Sequence, residues 1–104
     1  MTLDYETQRK SFLELAEQKK LRSSEVSVYF ALLKMWRQKN WAKHFPISTW
    51  ELYKLVHLAN KTIINARRDL ERKGFFHMEP NALGFGSTKG TVYQMFPLYS
   101  PEMV

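Results

Sequence analysis

The sequence predicts an α+β domain that is mainly helical and ends in a β-hairpin. Two observations support this prediction. Apolar residues recur with the period of a helix in four successive segments up to residue 73, and two strand-like segments follow the glycine at position 74. The chain has 104 residues, enough for one domain around a single modest core.

The first predicted helix covers residues 4–20. Its apolar side chains form one stripe: Tyr5, Phe12, Leu13, Leu15 and Ala16. A second helix over residues 25–38 follows Ser23 and Ser24 and is apolar on two sides. A helix with two apolar sides is expected at the centre of the fold, in contact with several partners.

A third, short helix is predicted over residues 50–57. Residues 45–47 before it should be extended, because proline disfavours the helical conformation for the residue that precedes it. Ser48 or Thr49 can cap the helix. Its predicted inward side chains are Leu52, Leu55 and Val56. Residues 58–60 then form a tight turn, so two helices follow one another in a helix-turn-helix pattern.

The fourth predicted helix, over residues 61–73, has two chemically opposite faces. At 100° per residue, one side is apolar: Ile63, Ala66 and Leu70. The opposite side is polar: Lys61, Asn65, Arg68 and Arg72. Asn60 is the predicted N-cap and Gly74 the predicted C′ residue. The apolar side needs a core, whereas cations and an amide suit phosphates and base edges.

The hairpin is predicted from strands over residues 75–79 and 91–96. The second strand alternates, with Tyr93 and Met95 on one face, as a half-buried strand should. Residues 80–90 between the strands are rich in Gly, Ser, Asn and Pro. Their Gly-Ser-Thr-Lys-Gly run has the wrong spacing for a nucleotide-binding phosphate loop and is followed by a strand, so it indicates a hairpin tip.

The positive charge is concentrated in the middle of the chain. The net charge is +6, and residues 34–73 hold ten basic against three acidic residues, a balance of +7. Residues 1–33 are balanced, and residues 74–104 carry −1. A basic surface attracts polyanions and accelerates encounter with them. The alternative is that these charges only keep exposed helices solvated.

Several functional classes are not favoured by the sequence. Cysteine is absent, which excludes disulfides and thiolate metal sites and suits a reducing cytoplasm. The longest apolar run is too short to span a bilayer, so no membrane association is expected. His44, His57 and His77 lack metal-ligand spacing and an accompanying carboxylate. No catalytic pair is visible, and we expect no enzyme activity, metal or cofactor.

Residues 62–76 resemble the recognition helix and first wing strand of winged helix-turn-helix domains. The matching positions are Ile63, Ala66, Leu70, Glu71, Lys73, Gly74, Phe75 and Phe76. Arg67 departs from the pattern, which often has leucine there, and is expected to lay its stem over the core edge with its guanidinium near phosphate. The resemblance covers residues 24–96. The chain is accordingly divided into a winged domain over 23–96, an additional N-terminal helix over 1–22 that the minimal winged-helix unit lacks, and a tail over 97–104 that two prolines make irregular.

Residues 45–49 also resemble the start of this motif in replisome-organiser domains, the DnaD-like amino-terminal modules of bacterial and phage replication proteins. The likeness implies double-stranded DNA as partner, together with replication or regulatory proteins. The recognition helix would enter the major groove through Lys61, Thr62, Asn65 and Arg68. Backbone contacts are expected from Ser48, Thr49, Lys54 and Arg72 and, in the wing, from Lys89.

Two other functions remain open at this level. The same surfaces could dock a protein partner without touching DNA. A binder of RNA or single strands would instead stack bases on exposed aromatics such as Trp41, Tyr53 or Phe85. The first helix either packs on the second or also forms a homodimer contact.

Overall fold

The computed structural model describes residues 3–80 and 91–99, which form four helices and a three-stranded antiparallel sheet. In chain order the elements are α1 (Tyr5–Gln18), α2 (Ser23–Gln38), β1 (Phe45–Ile47), α3 (Thr49–Val56), α4 (Asn60–Arg72), β2 (Phe76–Pro80) and β3 (Thr91–Met95). The α+β prediction is confirmed, and predicted helix bounds differ from these by no more than two residues. Within the described residues, no helix combines the length and apolarity needed to cross a bilayer.

The sheet has the strand order β1-β3-β2. Tyr93 in the middle strand is opposite Phe45 of β1 on one side and Met78 of β2 on the other. The predicted hairpin pairing of β2 with β3 and the extended conformation of residues 45–47 are confirmed. The sequence pattern does not predict the pairing of β1 with β3, because three residues are too few to show an alternation.

The core lies between α2 and the other elements, as the two apolar sides of α2 predict. α2 contacts α1, α3 and α4. Phe12 of α1 stacks on Tyr29 of α2 with ring centroids 3.8 Å apart, and Phe75 meets both rings edge-on. All three rings are buried, and such pairs contribute beyond the area that they bury. Packing of α1 on α2 is thus observed, whereas a homodimer contact through α1 stays a prediction.

Two apolar side chains predicted to face inward are exposed. Leu55 is 41% exposed because it borders an open groove between α2 and α3, where no element covers it. Leu13 is 40% exposed because it lies a quarter-turn around α1 from Phe12, beyond the contact with α2. In contrast, Leu52 of α3 and Phe12 of α1 are fully buried.

The predicted helix ends are partly correct. Ser48 caps α3 in a capping box: its hydroxyl accepts from the Glu51 amide at 3.0 Å, and the Glu51 carboxylate accepts from the Ser48 amide at 3.2 Å. Gly74 follows α4 with φ +90°, the left-handed conformation that suits glycine. Asn60 is not the N-cap, because α4 begins one residue earlier than expected and Ala59 takes the cap position without a side-chain bond.

A buried glutamine joins α1 to the segment after β3. The Gln8 amide group donates to the Tyr29 hydroxyl at 3.0 Å and to the Phe96 carbonyl at 3.2 Å. Its side-chain oxygen accepts from the Leu98 amide at 3.0 Å. Gln8 has no exposed surface, and these three bonds satisfy both of its N–H donors and its side-chain oxygen.

A buried carboxylate joins the start of α2 to the end of α4. Glu25 is 1% exposed and accepts hydrogen bonds from Arg22 Nε and Lys73 Nζ, both at 2.9 Å. Burial alone raises the pKa of Glu25, but the bonds from Arg22 and Lys73 outweigh it and hold that pKa below its ordinary value. The ion cluster holds the C-terminal end of α4 against α2.

Candidate nucleic-acid interface

A three-residue connection sets α4 against α3. α3 ends at Val56, and the next residue, His57, adopts a left-handed conformation with φ 52°. The His57 amide donates to the Tyr53 carbonyl at 3.0 Å. Leu58 and Ala59 complete the connection before α4 begins. The connection is short, and the hydrogen bond of the His57 amide ties its first residue to α3. These two features fix where α4 begins relative to the end of α3.

The two predicted faces of α4 are confirmed. The inward side chains have no exposed surface: Ile63, Ala66 and Leu70. The outward side chains are all exposed: Lys61, Asn65, Arg68 and Arg72. Thr62 is half-buried at the edge, and Ile64 adds a 39% exposed apolar side chain. Burial of the inner face therefore presents the cations and the amide of the outer face together.

The cations around α4 differ in how far they are neutralised. Lys73 is bound to the buried Glu25. Arg72 lies 3.6 Å from Asp69, whose carboxylate also contacts Arg22. Among residues 3–80 and 91–99, by contrast, neither Lys61 nor Arg68 has a carboxylate within 4.0 Å. Lys61 and Arg68 are therefore exposed cations of α4 without an ion-pair partner among these residues.

The N-terminal part of α3 lies beside the start of α4. Ser48 uses its oxygen in the capping box, which leaves the hydroxyl proton free to donate to an anion. Thr49 is the first residue of α3. Lys54 is exposed, and its ammonium lies 5.8 Å from the ring centroid of Trp50. Ser48 and Lys54, both predicted to contact the DNA backbone, therefore have accessible side chains.

An exposed aromatic pair lies on α3: Tyr53 is exposed, as expected from the sequence, whereas the exposure of Trp50 was not predicted. Trp50 is 65% exposed and stacks on Tyr53 with centroids 5.9 Å apart and an interplanar angle of 12°. The spacing of three residues, which places both rings on one side of a helix, is the signal that could have indicated it. Trp41, predicted as an exposed platform, is instead half-buried edge-on against Trp36.

Arg67 is half-buried at the edge of the core, as predicted, but its guanidinium is bonded inward. Its guanidinium donates from Nη1 to the Tyr93 hydroxyl at 2.9 Å, and its Nε is buried without a partner among the described residues. Arg67 is thus committed to the interior side of α4 rather than to a phosphate, because the buried tyrosine offers a close acceptor there.

The surroundings of His77 correct the expectation that no carboxylate accompanies the histidines. His77 does have carboxylates beside it, with Glu71 3.2 Å from Nδ1 and Glu79 3.4 Å from Nε2, because β2 runs back along the end of α4. Even so, no group of three ligand-type side chains in the described part of the chain could hold a metal ion. Lys89 and Phe85, predicted in the wing, lie outside the described residues.

No protein-family model, curated protein or solved structure proved detectably similar to this chain.

Proposed function

We propose that this chain is a winged helix-turn-helix domain that binds double-stranded DNA through the outer face of α4. The biological setting proposed is replication initiation or transcription regulation in a bacterium, phage or mobile element. The observation that carries the proposal is the outer face of α4, on which Lys61, Asn65, Arg68 and Arg72 are exposed together opposite a fully buried apolar face. In this proposed domain, the hairpin of β2 and β3 is the wing.

The arrangement of elements supports the proposal. Two helices joined by a short connection precede an antiparallel hairpin, and β1 closes the sheet on the other side of β3. α4 has 13 residues, so it is about 20 Å long at 1.5 Å per residue. A helix with its side chains is about 10–12 Å across, so it fits the major groove, which is about 12 Å wide.

Individual side chains then take distinct roles in the proposed complex. Arg68 can pair with guanine and Asn65 with adenine, each bidentate contact discriminating by about 1–3 kcal/mol. Lys61 and Arg72 bind phosphates, which supply affinity without sequence preference. At the start of α3, Ser48 donates its hydroxyl proton to a phosphate of the DNA backbone. Lys54, in the last turn of α3, adds a cation.

A second candidate function is docking of a protein partner. The observation that favours it is the group of exposed apolar side chains on α3 and α4: Trp50, Tyr53, Leu55 and Ile64. A protein interface typically buries aromatic side chains of this kind at its centre.

The salt dependence of duplex binding separates the two functions. Anisotropy of a labelled random-sequence duplex is titrated between about 50 and 200 mM salt; contacts to four phosphates give a log–log slope of about −3.6. The Lys61/Arg68/Arg72→Ala variant should bind weakly with a flatter slope. The matched control removes three exposed lysines outside α3 and α4, Lys10/Lys39/Lys43→Ala, and should keep most of the slope.

Equal losses for the two variants would mean that net charge, and not α4, governs binding. Absence of binding at the lowest salt would contradict the proposal and favour protein docking.

A further inference from the structure

The Trp50–Tyr53 pair is held outward by the residues around it. Leu52, between them in the chain, has no exposed surface and fixes the inner side of α3. The capping box at Ser48 fixes the first turn, where Trp50 lies. The backbone that carries the pair is therefore fixed, and the two stacked rings face outward.

Polar groups that suit a nucleotide surround the pair. The rings line a shallow groove whose other wall is Ala59 and Asn60, at the start of α4. Lys54 lies at the Trp50 ring, and Lys61 follows directly after Asn60. Glu51, the acidic residue of α3, is bound in the capping box. The groove thus combines an aromatic surface with the amide of Asn60, and the Lys54 ammonium lies beside it.

This combination matches a nucleotide better than an apolar protein segment. A base stacks on an aromatic ring whatever its identity, because every base has a π-face, and its phosphate needs a neighbouring cation. A continuous duplex offers no unpaired base to such a groove, since its bases are paired and stacked inside the double helix. The fitting ligand is a strand that leaves the duplex.

We propose that Trp50 and Tyr53 stack an unpaired base of a DNA strand that continues out of the duplex bound by α4. The inference rests on the proposed function, because α4 supplies the duplex contact beside the groove. It narrows the substrate to DNA with a junction between paired and unpaired segments. Lys54 binds the phosphate of the stacked nucleotide.

The test compares three labelled DNAs: a blunt duplex, the same duplex with a short single-stranded tail, and one with an abasic tail. Both tail polarities are used. The abasic tail keeps the phosphates and removes the bases, so it isolates stacking from charge. The wild-type chain should prefer the tail with bases over the abasic tail at least about five-fold. Trp50→Ala should lose that preference, and Trp50→Phe should keep most of it.

Leu13→Ala is the matched control, since it removes a similarly exposed apolar side chain on α1. It should leave the preference unchanged, and thermal denaturation checks that each variant folds. Equal affinity for tailed and abasic DNAs, with blunt-duplex binding still dependent on α4, overturns this inference alone and leaves the pair to a protein partner. Weakening of all three DNAs alike by Trp50→Ala also overturns it. Failure to bind any of the DNAs removes the proposed function as well.

Discussion

Arg67 of α4 donates a hydrogen bond to the hydroxyl of Tyr93 in the middle strand of the sheet, with 2.9 Å between Nη1 and Oη. Burial raises the pKa of Tyr93, an effect only partly opposed by the charge of Arg67, so the phenol stays neutral over the physiological range. A buried hydroxyl needs a hydrogen-bond partner, and Arg67 provides it. The pair therefore joins the proposed recognition helix to the sheet.

Loss of either partner should destabilise the fold. Tyr93→Phe leaves the half-buried guanidinium without its acceptor, so we expect the free energy of unfolding to fall by about 1–3 kcal/mol. Arg67→Leu should cost a similar amount, because it leaves the tyrosine hydroxyl unpaired. The double variant should recover part of the loss, since both polar partners are gone. Urea denaturation measures all three; strict additivity would show that the two residues are not coupled.

The buried Gln8 should be essential for attaching the end of β3 to α1. Gln8→Leu keeps a similar volume but leaves the Tyr29 hydroxyl, the Phe96 carbonyl and the Leu98 amide unpaired. We expect a loss of about 1–3 kcal/mol in the free energy of unfolding and faster hydrogen exchange at the Leu98 amide. Gln18→Leu, at the exposed end of the same helix, is the control and should change stability little.

Glu25 should make stability depend on acid. Because its pKa is lower in the folded state, the unfolded chain binds its proton first as the pH falls. The contribution of Glu25 is therefore complete above the ordinary pKa of 4.5 and is lost as the pH falls through the lowered folded value. Denaturation from pH 7 downward should show a shallower decline for Glu25→Gln than for the wild type. Glu14→Gln, an exposed control, should follow the wild type.

The two arginines on the outer face of α4 should differ in what they contribute. After selection of a preferred site from a random pool, Arg68→Ala should weaken binding to that site more than to random DNA, by about 1–3 kcal/mol. Arg72→Ala should weaken both alike, because a phosphate contact is independent of sequence. Equal losses on both DNAs for Arg68→Ala would remove it from base reading.

The regular part of α4 was predictable because its order is local. The spacing of Ile63, Ala66 and Leu70 and the glycine after the helix are encoded within 15 residues of sequence, and both are confirmed. The N-terminal boundary was less secure, since Asn60 can begin a helix as well as cap it. The functional meaning of the outer face stays a prediction.

The buried polar contacts could not be predicted, because their partners are far apart in the chain. Glu25 looks like an ordinary residue of a first helical turn until Lys73, 48 positions away, is brought against it. Gln8 likewise meets Leu98 across 90 positions. For Trp50, five of the eight residues of α3 are apolar or aromatic and they lie around the whole helix, so their spacing does not decide which side is buried.

Recognition of a duplex by α4 is tested most directly by identifying which residues contact the DNA. Unlabelled duplex is titrated into ¹⁵N-labelled protein at low salt, and backbone amide shifts are followed by NMR. We expect the largest shifts in residues 60–72 and at the start of α3, and no change in the amide shifts of residues 5–18 in α1. Shifts confined to α1, or none at all, would contradict duplex recognition by α4.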